Sequence, residues 1–316
     1  MKPQDSKDIP SRSSPTQEGA STAKGASADE SLEDLIARLM QSSVQTEEEH
    51  VAPNSEELKD IITGLEDDLV TGRWINSYYE DTDIRLMPSL VEKANSKYPG
   101  MNLKLALTAE EFSHALKEIV ESDAKSAQFI VNSGSKIHFA VLDYQKVDEK
   151  ISLIMLEPTT FQNIAACKLG IKINQTLECL QLPPYSFTMA EMDIQRSFSE
   201  CGMFSLNLAK KLHLESEKLE RLHKDNVKGV LCEPNASLSP EKLDTYLPTS
   251  FYKHAQGRRR LEQYIKSNPD AEHEKVNKKG ETLTERFEKN LETADGKAVS
   301  VSQHKKRIHE YKSIMM

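Results

Sequence analysis

Apolar residues recur along this chain first at helical spacing and then at strand spacing. After Ser55, Glu56 and Glu57, the stripe Leu58, Ile61, Ile62, Leu65 and Leu69 predicts a helix that begins at Ser55. Met87 to Lys97 reads as a second helix, ended by Tyr98-Pro99-Gly100. A strand is expected over Leu103 to Leu107, a helix over Ala109 to Glu121 and a strand over Ser126 to Asn132. The runs Ile137 to Tyr144 and Ile151 to Pro158 both read as strands. The polar segment Gln145 to Lys150 between them makes the pair a β-hairpin. A helix follows from Asn163 to Leu180, packed through Ile164, Leu169, Ile173 and Leu177 and stopped by Leu182-Pro183-Pro184. Tyr185 to Asp193 is the next strand, and Phe204, Leu208 and Leu212 mark the helix after it. The order strand, strand, helix, strand, helix predicts an α+β fold with a central mixed sheet flanked by helices.

The ends of the chain differ from this regular middle. Residues 1 to about 30 are Ser, Thr, Gln, Pro, Gly and Lys with almost no large apolar residue, too little to fold alone. Leu32, Leu35, Ile36 and Leu39 suggest a short amphipathic helix over Ser31 to Met40, and Glu47-Glu48-Glu49-His50 reads as solvated linker. Three parts are therefore expected: a disordered 1–54, a core over 55–250 and a basic 251–316. The aromatic cluster Trp74 to Tyr79 reads as core. In 316 residues no apolar run approaches eighteen, so no membrane span is expected, and the N-terminus lacks the basic-then-apolar pattern of a secretory signal. Cys167, Cys179, Cys201 and Cys232 show no C-x-x-C spacing, which argues against structural zinc, any other metal site and a disulfide scaffold.

Chemistry concentrates in Asp193 to Phe204, D-I-Q-R-S-F-S-E-C-G-M-F. Cys201 falls at or just before a helix N-terminus, where partial positive charge favours a thiolate. Gln195 is placed to offer its amide to an oxyanion beside that sulfur. A lone Cys-Gly is equally compatible with a small buried residue. A base is available upstream. His138 begins the first hairpin strand and Glu157 ends the second, and antiparallel pairing brings those ends together. A carboxylate that orients an imidazole, which deprotonates a thiol, is the triad arrangement; a polar-face histidine and a loop glutamate would look the same in sequence.

The motifs Ile137-His138-Phe139, Leu156-Glu157-Pro158, Met192 to Ser197 and Ser199-Glu200-Cys201-Gly202 together resemble the YopJ family. Further matches are Tyr246-Leu247-Pro248, Phe251-Tyr252-Lys253-His254, Val276 to Lys279 and His304 to Ile308, so the resemblance runs from about Leu69 to the C-terminus. These are bacterial type III secreted effectors that act as acetyltransferases in host cells. The resemblance implies an adenain/Ulp1-like cysteine protease fold used for acyl transfer, with His138 as base, Glu157 as its orienter, Cys201 as nucleophile and Gln195 in the oxyanion hole. It also implies a secretion signal in the N-terminal segment, delivery to the host cytoplasm, and host MAP kinase kinases as targets.

Charge adds a separate signal. From Phe251 to Met316 there are fifteen Lys/Arg against ten Asp/Glu, a net of +5, in a chain of formal charge −9; residues 1–250 thus carry −14. The clusters are Arg258-Arg259-Arg260, Lys278-Lys279 and His304-Lys305-Lys306-Arg307. No aromatics interleave with them and no groove-reading motif appears, which argues against nucleic acid. A compact polyphosphate fits dense clusters better, and a solvated basic face is the alternative. The family resemblance implies inositol hexakisphosphate as activator and acetyl-coenzyme A as donor, with Lys278, Lys279, Lys305, Lys306 and Arg307 as binding residues. It implies autoacetylation at Lys253, otherwise a surface lysine. Three functions fit the sequence: an acetyltransferase, a cysteine protease acting on ubiquitin-like conjugates, and a non-enzymatic binder with a relic triad.

Overall fold

The computed structural model describes residues 53–132, 138–233, 236–294 and 296–315. The expected secretion segment, the helix over Ser31 to Met40 and the Glu47 to His50 linker lie outside these residues. Helix α1 (Ser55–Thr71) is capped by the Asn54 side chain, which accepts from the Glu56 and Glu57 amides. A 3-10 turn over Arg73–Ile75 buries Trp74 and leads to α2 (Glu80–Lys97). Helix α2 starts a full turn or more before the expected Met87. Pro88 lies inside the helix, and Glu80, Asp81 and Asp83 supply the acidic first turn that suits the helix dipole.

Strand β1 (Leu103–Ala106), helix α3 (Ala109–Glu121) and strand β2 (Ser126–Asn132) follow. Then come β3 (Phe139–Val147), β4 (Lys150–Glu157), α4 (Ile164–Cys179), β5 (Tyr185–Glu191) and α5 (Cys201–Leu214). The sheet order is β1-β2-β3-β4-β5; β2-β3 and β3-β4 are antiparallel, β1-β2 and β4-β5 parallel. The mixed α+β architecture agrees with the sequence reading. The hairpin turn is tighter than expected: pairing runs on to Val147 and Lys150, and Asp148 takes a positive φ of 52° at the turn. The polar residues Gln145 and Lys146 belong to the strand because they extend past the core, where polar side chains on a paired backbone cost little.

Both faces of the sheet are covered. Phe129, Val131, Leu142, Leu153 and Met155 pack on one side with Phe112 and Leu116 of α3 and Leu169 and Ile173 of α4. Ile130, Val141, Ile154 and Leu156 pack on the other with Met87 and Leu90 of α2 and Phe204 and Leu208 of α5. Burial on both faces explains why these strands read as apolar runs rather than clean alternation.

The chain continues through α6 (Glu220–Val227), a short α7 (Pro240–Leu243), α8 (Arg258–Ser267), α9 (Leu283–Lys289), the hairpin β6 (Leu291–Ala294) and β7 (Lys297–Ser300), and α10 (Ser302–Ile314). Helix α10 packs against α1, α2 and α5, so the C-terminal segment meets the first helices of the core directly.

Candidate active site

Parallel pairing of β4 with β5 brings three sequence-predicted residues together. Glu157 closes β4, and the chain after β5 is laced onto the residues beyond it: Met192 N–H donates to Glu157 O at 2.8 Å, Asp193 N–H to Thr159 O at 3.1 Å, and Ile194 and Gln195 N–H to Pro158 O at 2.8 and 3.1 Å. His138, one residue before β3, reaches Glu157 with Nε2···Oε2 at 2.7 Å. The second carboxylate oxygen accepts from Thr159 N–H at 2.8 Å and Thr159 Oγ1 at 2.7 Å, so Glu157 cannot rotate away. His138 and Cys201 are only 4% and 2% exposed, which places the sulfur and imidazole at the floor of the site.

Cys201 is the first residue of α5 and stands beside His138. Nε2 is engaged by Glu157, which leaves Nδ1 for the sulfur. Burial opposes charge on His138, but its neighbours Cys201 and Glu157 outweigh it and hold the imidazolium up to about 10. A glycine is required after the cysteine: a Cβ at Gly202 would lie 2.9 Å from Asp83 Oδ2 and 3.3 Å from the Phe139 ring. Gln195 is buried beside the site; its Nε2 donates to Ser197 O at 2.9 Å, and its Oε1 has no partner. One amide hydrogen of Gln195 is therefore still available to an incoming oxyanion.

Several supporting residues were not expected from sequence in the roles they take. Gln256 fixes the Gln195 loop: its Oε1 accepts from Arg196 N–H at 2.6 Å and Ser197 N–H at 3.0 Å. Thr159 clamps Glu157. Arg307 donates from Nη1 to Glu200 Oε1 at 2.8 Å and from Nη2 to Asp83 Oδ2 at 2.9 Å, and also to the Ser199 carbonyl.

The basic residues separate. A cavity of about 190 Å³ opens between α2, α5 and α10, lined by Lys93, Lys97, Lys210, Lys211, Lys253 and Lys306. Glu310 pairs with Lys210 at 2.9 Å and Lys306 at 2.6 Å, and Glu215 with Lys211 at 3.2 Å, which leaves the cluster net positive. Burial and the neighbouring Lys211, Arg286 and Lys306 charges push Lys253 down to about 8. Burial likewise lowers Lys210, with Glu310 opposing and Lys306 and Lys97 adding to the effect. Of the five anion-binding residues expected from sequence, Lys306 alone lines this cavity. Lys278 and Lys279 are exposed on a turn, Lys305 is exposed and donates to Asn290 at 3.3 Å, and Arg307 is fully buried with its guanidinium taken up by carboxylates. The five do not form one site.

A mixed sheet that sets a cysteine at a helix N-terminus beside an imidazole–carboxylate pair has the parts that acyl transfer through a cysteine would need. The particular family is the YopJ serine/threonine acetyltransferases, to which this chain belongs: the family described as YopJ Serine/Threonine acetyltransferase matches residues 58–313. The serine/threonine-protein acetyltransferase YopJ of Yersinia pestis is 47% identical over 263 residues, 83% of this chain and 91% of that protein. The structure of AvrA delL154 with IP6 and CoA superposes with a TM-score of 0.80 at 46% identity, covering 84% of this chain and 99% of that one. HopZ1a in complex with IP6 and CoA has the same fold, with a TM-score of 0.63 at 18% identity over 83% of this chain and 99% of that one.

Proposed function

We propose that His138, Glu157, Cys201 and Gln195 are the catalytic residues of this acetyltransferase. The observation that carries the reading is the buried Glu157–His138 hydrogen bond standing beside a cysteine at a helix N-terminus. His138, held by Glu157, takes the Cys201 proton; Sγ attacks the thioester carbonyl of acetyl-coenzyme A, and Gln195 with the Cys201 N–H stabilises the oxyanion. His138 gives its proton to the departing coenzyme A thiolate, which leaves acetyl-Cys201. His138 then takes the proton of an acceptor hydroxyl or amine as it attacks the acetyl carbonyl, and Cys201 regains its thiolate.

The polyanion activator, inositol hexakisphosphate, fits the lysine cavity rather than the five residues expected from sequence. Crowded, partly desolvated cations with depressed proton affinity favour a ligand carrying several phosphates. The donor's phosphates suit a second cleft, lined by Arg196, Gly257, Arg258 and Arg259 together with Asp193 and Glu241, in which Arg196 is paired with Asp193 and follows Gln195 in the chain. Lys253, with its amine pushed down to about 8, is the candidate for self-acetylation, because only a neutral amine can attack an acyl group. The wider reading is a type III secreted effector: residues 1–54 serve secretion, 55–250 catalyse and 251–316 regulate. Its targets are host MAP kinase kinases, whose Ser, Thr or Lys acetylation would block phosphorylation.

Intact-protein mass spectrometry with acetyl-coenzyme A tests this, run with and without inositol hexakisphosphate and with Cys201→Ala alongside. Acetyl gain that needs both Cys201 and the activator is expected. Equal acetylation of Cys201→Ala would rule out the triad, and acetylation indifferent to the activator would rule out the regulatory cavity. Adding a purified MAP kinase kinase as acceptor tests the target class; no acetyl gain on it would remove that class.

A further inference from the structure

Helix α10 presents two different faces. Gln303, Lys306, Glu310 and Ser313 line the lysine cavity. His304, Arg307 and Tyr311, on the adjacent face, are fully buried against α1, α2 and the start of α5. Arg307 reaches both sides of Cys201. It holds Glu200 and the Ser199 carbonyl before it. It also holds Asp83, whose Oδ2 sits against Gly202 after it. Tyr311 also donates to Asp83. We propose that Arg307 is a positioning residue for the nucleophile, the link by which an anion seated against Lys306 fixes the N-terminus of α5. The link to the cavity rests on the activator reading above; the positioning role does not.

Three details support it. The guanidinium is planar and forked, and here one fork bridges two carboxylates and a backbone carbonyl, which a lysine ammonium cannot reproduce. Glu200 is held through one oxygen: Oε2 is buried without a partner, and His304 Nδ1, also unpartnered, stands 3.6 Å from Oε1. An under-satisfied buried network of this kind is able to take a second arrangement. Finally, Asn207 of α5 donates to Gln303 Oε1 of α10 at 3.1 Å across the cavity wall, so the two helices are coupled there as well as at Arg307.

The test is Arg307→Lys, with Glu200→Gln as a second variant that keeps shape and removes only the charge held by the fork. Three readouts separate the possibilities: iodoacetamide alkylation of Cys201 followed by peptide mass spectrometry, kcat and KM for acetyl-coenzyme A, and calorimetric binding of inositol hexakisphosphate. Both variants are expected to bind the polyanion within about threefold of wild type. Both should lose roughly tenfold to a hundredfold in kcat and in anion-stimulated Cys201 alkylation, with KM little changed. Wild-type alkylation and kcat in folded Arg307→Lys and Glu200→Gln overturn the inference. If inositol hexakisphosphate does not bind the wild-type protein, the activator reading fails alone. Alkylation without anion then decides the positioning role: slowed in both variants supports it, unchanged overturns it.

Discussion

Among the described residues, two of the buried His–carboxylate pairs each stand beside a small nucleophilic side chain. One is Glu157, His138 and Cys201. The other is Asp143, His223 and Ser152, with His223 Nε2 3.0 Å from Asp143 Oδ2 and His223 Nδ1 2.8 Å from Ser152 Oγ. By connectivity alone both are triads. They differ in everything around that geometry. All three members of the second set are 0% exposed. Asn226 Nδ2 donates to Ser152 Oγ at 2.8 Å, so Ser152 must donate to Nδ1, and His223 must give its Nε2 proton to Asp143. Gln128 Nε2 occupies the other Asp143 oxygen at 2.9 Å. Every lone pair and proton of importance is assigned, and Ser152 stands mid-strand with no helix dipole behind it. That set fastens α6 to the sheet. The Cys201 set stands at a helix N-terminus with a free amide hydrogen on Gln195 beside it. An acid–histidine–nucleophile line becomes a reactive centre only where the nucleophile is left something to do.

The largest effect that would sharpen this contrast is on turnover. Glu157→Gln keeps the size of the side chain but removes the charge that holds the His138 imidazolium. It should lower kcat about 10²- to 10⁴-fold with little change in thermal stability. A loss under tenfold, measured by steady-state acetylation, would mean that the carboxylate only fastens structure, as the Asp143 set does.

The next effect falls on the other set and on a different observable. Ser152→Ala removes the donor to His223 and one of three acceptors of Asn226, which leaves the buried His223 Nδ1 unmatched. Urea unfolding should show a loss of about 1–3 kcal/mol, while kcat stays within about twofold of wild type. A fall in kcat like that of Glu157→Gln, with stability intact, would reverse the assignment of the two triads.

The two regions were also unequally visible in the sequence. The Cys201 set is built by neighbours in topology: a hairpin, one crossover helix and one strand. Their periodicities predicted β2, α3 and the hairpin, and strand ends placed His138 against Glu157. Ser152 and His223 gave no signal, because a serine in an apolar strand and a histidine in a polar helix each look ordinary. The five basic residues expected to act together lie apart for a geometric reason. Consecutive residues on a helix point about 100° apart, so Lys305, Lys306 and Arg307 go to solvent, cavity and core respectively. The residues that do converge come from α2, α5, the Lys253 turn and α10, and Arg307 meets Asp83 across 224 positions of sequence. A run of like charges in sequence therefore says little about a cluster in space.

The contrast extends from buried charge with a partner to half-buried charge without an ion-pair partner among the described residues, and Lys253 is the second kind. Its amine is pushed down to about 8 from an ordinary 10.5, first by burial and then by Lys211, Arg286 and Lys306. Between pH 8 and 10.5 the unfolded chain holds this proton and the folded chain does not. Stability must therefore rise with pH across that window, by up to about 1.4 kcal/mol per unit from this group. Lys253→Met should flatten that rise and stabilise the protein by roughly 1–3 kcal/mol at pH 7.5. In the presence of inositol hexakisphosphate the order should invert, because the wild-type lysine gains phosphate partners and the methionine cannot. Urea midpoints for both proteins at pH 7.5 and 9.5, with and without the polyanion, measure all three quantities. A wild-type midpoint that falls as steeply as that of Lys253→Met over this range would show that the cavity already balances its own charge and has no call for an anion.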